Sequence, residues 1–465
     1  MRRRDVALAI AIVGLGAIAI REYVARDDVR PPPAIALPAE GPLVLIAAGD
    51  VLVTDPIEES TANEVRGLFA KAHLSVANLD MTLLDDGAAS RVRGAGTWPM
   101  GTPRDARTLR DLGLHVVSLA NNHGSDAGTD AAGTARQILR EAGIEAAGSG
   151  GDLSEARAPV FIGSSTRRVA FIAVTTSAMP ESRATDATAA VEARPGVNAL
   201  RYAMTITVDP ATFQTLSQSL RALEAGPPAG PDTLTFFGTP IRKGEDTSVE
   251  FAVDERDQEA MLAVIAAARA SAEVVVVSVH SHEPSNAAEE PAVFVRHFAR
   301  AAIDRGASLV FGHGPHRLRG VELYRQGAIL YSLGNFVYPA KSVLGVKADM
   351  YDLGADLYET ALSGGPSGPG SLNLENPVWW NGVLASGVFE NGELRTLRLI
   401  PLDLGLNLPI EARGLPAVAS GDGAVEVLRT VDRLSRPFGT MVDVETGQVR
   451  ALPDVRLITP SSPAR

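Results

Sequence analysis

No cysteine occurs anywhere in the 465 residues. The chain therefore has neither a disulfide framework nor a thiolate metal site, and any cation must be held by His, Asn, Asp or Glu. Aromatic residues are scarce at 5%, so the core must be built mostly of Leu, Val, Ile and Ala. Positive charge is also short: 43 Lys and Arg stand against 55 Asp and Glu, a formal net charge of −12. That balance argues against a nucleic-acid partner, and an anionic substrate would have to be met by local cations or a metal. Internal repeats are absent. What is present is a composition of 45% hydrophobic and 21% charged residues, that of a globular chain rather than a disordered one. Its length leaves room for one large domain with appendages.

The N-terminus reads as a targeting segment. Arg2, Arg3 and Arg4 precede the apolar run Val6–Ile20, which is shorter than the about 20 residues of a spanning helix but suits a signal-peptide core. RRRDVAL loosely resembles a twin-arginine export signal, and Ala17-Ile18-Ala19 offers a cleavage site. The alternative is a retained, slightly short anchor with the arginines on the cytoplasmic side. In either form residues 1–28 predict export to a periplasmic or extracytoplasmic location. Residues 29–42, with Pro31-Pro32-Pro33, read as a stiff linker.

From Leu43 onward, short apolar runs alternate with segments of helical periodicity, which predicts an α/β domain over 43–340. Strands are expected at LVLIAAG, LSVANL, LHVVSLA, Val169–Thr175, EVVVVSV and Ala307–Phe311. Helices are expected at Ser60–Lys71, Asp105–Leu112, Thr129–Ala142, Arg256–Ala270 and Pro291–Arg305. Residues 177–254 have scattered Gly and Pro and weak periodicity. They read as an insertion with one short helix near Pro210–Ala225, serving either as a substrate lid or as a surface excursion. The extension 341–465 carries a Gly/Ser/Pro loop at Tyr351–Gly370, then GVLASGVF and LRTLRLIP joined at Asn391-Gly392, a hairpin signal. These two strands are expected to add to the main sheet. A helix at Gly423–Ser435, a last hairpin around Thr446-Gly447 and a disordered end at Ser461–Arg465 complete the reading.

The chemistry gathers at strand ends. Asp50, Asp80, Asn122 with His123, His280 with His282, and His313 with His316 each follow a short apolar strand, where α/β sheets bind ligands. Of eight histidines, these five lie in the clusters. His73, His115 and His297 fall within or beside helical and strand patterns, where a structural role fits better. Two carboxylates, one amide and several imidazoles make up the donor set of a two-metal hydrolytic site. Asn and His alone would equally serve as caps of the next helix; the joint placement is what favours a metal.

The order GD, ANLD, SLANNH, SVHSHE, GHGPH and YSLGNF resembles the CapA family of capsule or poly-γ-glutamate biosynthesis proteins, itself similar to calcineurin-like metallophosphoesterases. The resemblance covers roughly Val44–Tyr338, and NPVWWNGVLA with LRLIPLDL resembles one branch of the family. It implies a four-layer α/β/β/α sandwich with the site at the strand ends. It implies Asp50 as the first metal-binding aspartate and Asp80, where the family commonly has Glu, as the bridging carboxylate. Asn122 is implied as amide ligand, His123 as the adjacent catalytic histidine, and His280, with His313 and His316, as imidazole ligands. The sequence departs from the parent pattern at Leu52, where a histidine is usual, and in the spacing of His313 and His316.

These assignments predict metal-assisted hydrolysis with two divalent cations (Mn, Fe, Zn or Mg) and His123 as general acid. His282, Arg317, Arg319 and Asn335 are the candidate substrate contacts. The arginines read alternatively as a solvated strand end, and Gly334-Asn335 as turn chemistry. The expected partner is an anionic extracellular polymer or a phosphoester, in the setting of a membrane synthesis or export complex. The competing expectation is a non-catalytic export or assembly module that keeps the fold and binds polymer.

Overall fold

The computed structural model describes residues 35–53, 57, 59–85, 99–222, 230–236, 238–340 and 376–452. The export segment, residues 29–34 of the Pro-rich linker, the Tyr351–Gly370 loop and the Ser461–Arg465 end lie outside the described residues. Among the described residues, no helix is long and apolar enough to cross a membrane.

The fold is α/β, and two sheets dominate it. In the larger one the strand order is Ala417–Val418, Glu393–Asp403, Asn381–Glu390, Leu43–Val51, Leu74–Leu79, Val116–Ser118 and Glu145–Ala147, with Asn335–Val337 also pairing with Leu43–Val51. The second runs Val321–Tyr324, Gly327–Leu330, Leu309–His313, Val274–His280, Arg168–Thr175 and Val160–Gly163. The central strands of each sheet are parallel, so their carboxyl ends emerge together. The tail hairpin turns at Asn391 and Gly392, both with positive φ. It joins the larger sheet antiparallel to Leu43–Val51, as its sequence predicts.

Alternation along the strands sets the core. Leu43, Leu45, Leu74 and Val76 of the larger sheet share one apolar cluster with Phe171, Val274, Val276, Leu309 and Phe311 of the second. Ile46, Ala48 and Ala77 face the other way, against Val65 and Phe69 of helix Glu59–Phe69, Leu109 of helix Pro103–Asp111 and Ile138 of helix Ala131–Ala142. Val275 and Val277 of the second sheet meet Met261 and Ile265 of helix Glu255–Arg269 and Phe298 of helix Val293–Asp304. Both faces of the parallel strands are thus covered, which is why their sequences read as continuous apolar runs.

The segment expected to hold one short helix holds more. Helix Pro210–Ala222 is there, but it packs on a four-stranded sheet in the order Thr233–Phe236, Thr239–Lys243, Tyr202–Val208 and Ser248–Val253. Tyr202, Met204, Ile206 and Val208 do alternate with small or polar residues, a strand signal. Thr, Pro and exposed positions in the other three strands dilute it.

Candidate metal centre

The polar residues at the strand ends continue the alternation of the apolar ones. Leu74 and Val76 face the inter-sheet core, and Asn78 and Asp80 follow on the same side. Val274 and Val276 lead to Ser278 and His280; Leu309 and Phe311 lead to His313. The site is therefore the polar end of the inter-sheet core. Asp50, Asn78, Asp80, Ser278, His280 and His313 are each at most 1% exposed. Register aligns Asp50 with Asn78 on one side and Asn335 on the other, and His280 with His313. Residue 49 must be glycine, because a Cβ there would lie 1.8 Å from the Gly334 carbonyl oxygen. That oxygen accepts the Asp50 N–H at 3.1 Å.

Two groups of possible cation ligands result: Asp50 with His280 and His313, and Asp50 with Asp80 and His316. Within each, the ligand atoms lie within 4.8 Å of one another. Asp50 belongs to both. One of its oxygens faces His313 Nδ1 at 3.8 Å, and the other faces His316 Nδ1 at 3.3 Å and accepts the Gly314 N–H at 3.0 Å. His316 Nε2 is 3.6 Å from Asp80 Oδ2, and His280 Nδ1 is 3.7 Å from Asp80 Oδ1. His280 meets His313 nitrogen to nitrogen at 3.1 Å and His282 at 3.0 Å. Carboxylates and imidazoles aimed at common points, buried and without a lysine or arginine among them, are a donor set that fits divalent cations.

Protonation suits that use. Burial and the neighbouring imidazoles hold His280 well below the ordinary histidine range. Burial likewise depresses His282 and His313 to about 4, so all three present free lone pairs at neutral pH. Burial would raise Asp50, but the His316 hydrogen bond and charge bring it to about 2. Asp80 is pushed up to about 6 by burial and by the Asp50 charge. His123 goes the other way. Burial opposes its protonation, yet the Asp126 carboxylate, 2.7 Å from Nδ1, raises it to about 9 with help from Asp80 and Asp50. Nδ1 of the ring is held by Asp126, and Nε2 lies 3.1 Å from Asn122 Nδ2. The charged ring requires the Asn122 amide turned over, so that its oxygen accepts the Nε2 proton and its NH₂ meets neutral His282.

The other residues singled out from sequence take distinct places. Asn122 Oδ1 lies 3.4 Å from His282 Nε2, and His282 Nδ1 pairs with Asn286 at 2.6 Å. Asn335 bridges inward: its Oδ1 meets His316 Nδ1 at 3.0 Å, and its Nδ2 donates to the Trp379 carbonyl at 2.9 Å. Trp379 stacks on the His316 ring with centroids 5.3 Å apart. Arg317 and Arg319 turn to the segment after His282. Arg317 donates to the Ala287 carbonyl and to Glu289, and buried Arg319 donates to the Ser285 and Ala288 carbonyls. Leu52 lies in the apolar cluster and offers no donor. His73 and His115 accept the Val44 and Ser75 main-chain N–H groups.

Sequence reasoning gave no role to Asn78, Asn121 or Asp126, although Asn121 stands in the same strand-to-helix loop as Asn122 and His123. Asn78 had a signal: an amide inside the otherwise apolar run LSVANL must find partners when buried. Asp126, three residues after His123, had none beyond its proximity.

Comparison with known proteins gives the family. Residues 44–340 match the sequence model of the family described as bacterial capsule synthesis protein PGA_cap. The chain is 34% identical to an uncharacterized protein of Sinorhizobium fredii over 421 residues, 86% of this chain and 91% of that one. It is 29% identical to a probable polyglutamine synthesis accessory protein of Mycobacterium tuberculosis over 344 residues, 73% of this chain and 67% of the relative. To the capsule biosynthesis protein CapA of Bacillus anthracis it is 25% identical over 232 residues, 50% and 42% of the two chains.

Proposed function

We propose that this chain, which belongs to the PGA_cap family of bacterial capsule synthesis proteins, is a metal-dependent hydrolase working on an anionic capsule-type polymer or a phosphoester. The observation that carries the reading is the pair of overlapping ligand groups sharing Asp50, with a charged His123 beside them. Two sheets with a common apolar core and helices on their outer faces support a four-layer metallophosphoesterase-like sandwich as its scaffold.

Asp50, Asp80, His280, His313 and His316 would hold the cations, and Asn122 is the amide next to them. Bound divalent cations supply an activated water and stabilise charge developing on the substrate. His123 carries the proton that the leaving group takes, donated from Nε2 while Asp126 fixes Nδ1. Asn335 keeps the His316 ring in place, and His282, held by Asn286, borders the same space. Incubation of the manganese-loaded protein with phosphoester substrates and with poly-γ-glutamate tests the activity. Release of phosphate or of shortened polymer that disappears in His123→Ala is the expected result; no turnover on either class overturns the reading.

One observation favours a second reading. Leu52 takes a position where the parent pattern has a histidine and lies in the apolar cluster. A reduced donor set suits a module that binds polymer within a synthesis or export complex without cleaving it. Polymer binding with unchanged chain length would mark that outcome.

The place of action follows from Arg2–Arg4 and Val6–Ile20: the folded domain works outside the cytoplasm, exported or anchored by its N-terminal segment. A full-length fusion to a reporter active only after export is expected to give signal, and a strictly cytoplasmic signal contradicts export.

A further inference from the structure

Two asparagines link the His123 loop to the carboxylates of the candidate metal centre. The His123 main-chain N–H donates to Asn121 Oδ1 at 3.0 Å. Asn121 Nδ2 donates to the Leu79 carbonyl at 2.6 Å and to Asn78 Oδ1 at 3.1 Å. Asn78 Nδ2 then faces Asp50 Oδ1 at 2.8 Å, Asp80 Oδ1 at 3.3 Å and His280 Nδ1 at 3.3 Å. Both amides are fully buried.

Their direction is fixed from outside. A main-chain N–H can only donate and a main-chain carbonyl can only accept, so Asn121 has one permitted orientation between His123 and Leu79. That orientation leaves an N–H for Asn78, whose oxygen must turn to it. The Asn78 NH₂ is thereby forced towards the two carboxylates; the opposite flip would set an amide oxygen against two carboxylate oxygens. The amide engages one oxygen of each carboxylate, Asp50 Oδ1 and Asp80 Oδ1. Asp50 Oδ2 and Asp80 Oδ2 remain facing His316.

We infer that Asn78 and Asn121 form a positioning relay that presets which carboxylate oxygens are offered to cations and couples that choice to the His123 loop. The relay rests on the metal-site reading of the previous subsection. Neither residue is a ligand in it. Among the described residues, the Asn121 side chain makes no hydrogen bond to any candidate cation ligand, so an effect of Asn121 on metal binding must pass through Asn78 or the loop. Partners of this kind, which orient ligands without touching the metal, typically control affinity by about 10–100-fold.

The test is Mn²⁺ titration calorimetry on the wild type, Asn78→Ser, Asn121→Ser and the double variant, beside ¹⁵N-histidine spectra of the metal-free proteins. Asn121→Ser is expected to weaken Mn²⁺ about 10–100-fold, and the double variant to bind no worse than Asn78→Ser, since the two act through one chain of contacts. In the metal-free spectra, Asn78→Ser is expected to move the His123 main-chain resonance, assigned by its loss in His123→Gln, while those of His73 and His297 stay. Wild-type affinity in Asn121→Ser, or losses that simply multiply in the double variant, overturns the relay. If the wild type takes up no Mn²⁺, the metal-site reading fails and the spectra decide: a His123 resonance unmoved by Asn78→Ser overturns the relay, and one that moves supports it.

Discussion

The larger sheet and the second sheet both end in polar residues that continue their inter-sheet faces, yet they bring opposite chemistry. The larger sheet contributes Asp50, Asn78 and Asp80, two acids 0% and 1% exposed with an amide between them. The second contributes His280 and His313, imidazoles kept neutral by burial. Neither half suffices alone. Buried carboxylates without a compensating cation are costly, and buried neutral imidazoles have lone pairs to fill. The centre exists only where the sheets pack against each other, and the same apolar alternation that packs them sets which polar side chains meet. His316, at positive φ just past the second sheet, joins the two sets by facing both acids.

The sharpest way to break this comparison is Asp50→Ala. It removes the one ligand common to both groups, so metal content is expected to fall to background and hydrolysis with it, while circular dichroism of the metal-free protein stays native. Asp80→Ala refines the result. The geometry places Asp80 in one group only, predicting that one cation remains; the family resemblance, which makes Asp80 the bridge, predicts loss of both or one weakly held. Elemental analysis of the two variants decides between them.

His280→Ala and His123→Ala separate holding a cation from moving a proton. The first is expected to lower metal content and turnover together. The second should retain its metal and lose about 10²–10⁴-fold in turnover, with a smaller loss for substrates whose leaving group needs no proton. Metal content measured beside turnover checks both.

A smaller effect concerns pH. His123 is raised from 6.5 to about 9 in the folded protein. A raised pKa gives stability that is complete below the unfolded value and is lost as pH rises through the folded one. The histidine shift alone would correspond to about 3 kcal/mol. Burial pushes Asp126 upward, so the net contribution of the pair is smaller, on the order of 1 kcal/mol. The melting temperature of the metal-free wild type, relative to His123→Gln, should therefore fall by about 2 °C between pH 6.5 and pH 9; a constant difference contradicts the pair.

How much of this was legible beforehand follows from burial. Strands covered on both faces leave long apolar runs, so Leu43–Val51 and Val274–His280 announce themselves, and so do the charged residues that interrupt them. Helix ends deviate by a residue or two, as at Glu59–Phe69 against the expected Ser60–Lys71, because fraying and capping are not set by periodicity. The inserted sheet was hidden for the converse reason: strand Ser248–Val253 is largely exposed and carries little apolar pattern. Arg317 and Arg319, expected as substrate contacts or as a solvated strand end, donate to the 285–289 segment. Arg317 reaches the Ala287 carbonyl and the Glu289 carboxylate and Arg319 the Ser285 and Ala288 carbonyls, a long-range pairing that spacing does not encode. Strand pairing likewise decides that Asp50, rather than Asp80, belongs to both ligand groups.

The most direct test of a cation centre built jointly by the two sheets is the metal content of the purified full-length protein after equilibration with Mn²⁺ and removal of free ion. The geometry predicts about two equivalents, falling to none in Asp50→Ala. A well-folded wild-type protein that retains no metal contradicts it.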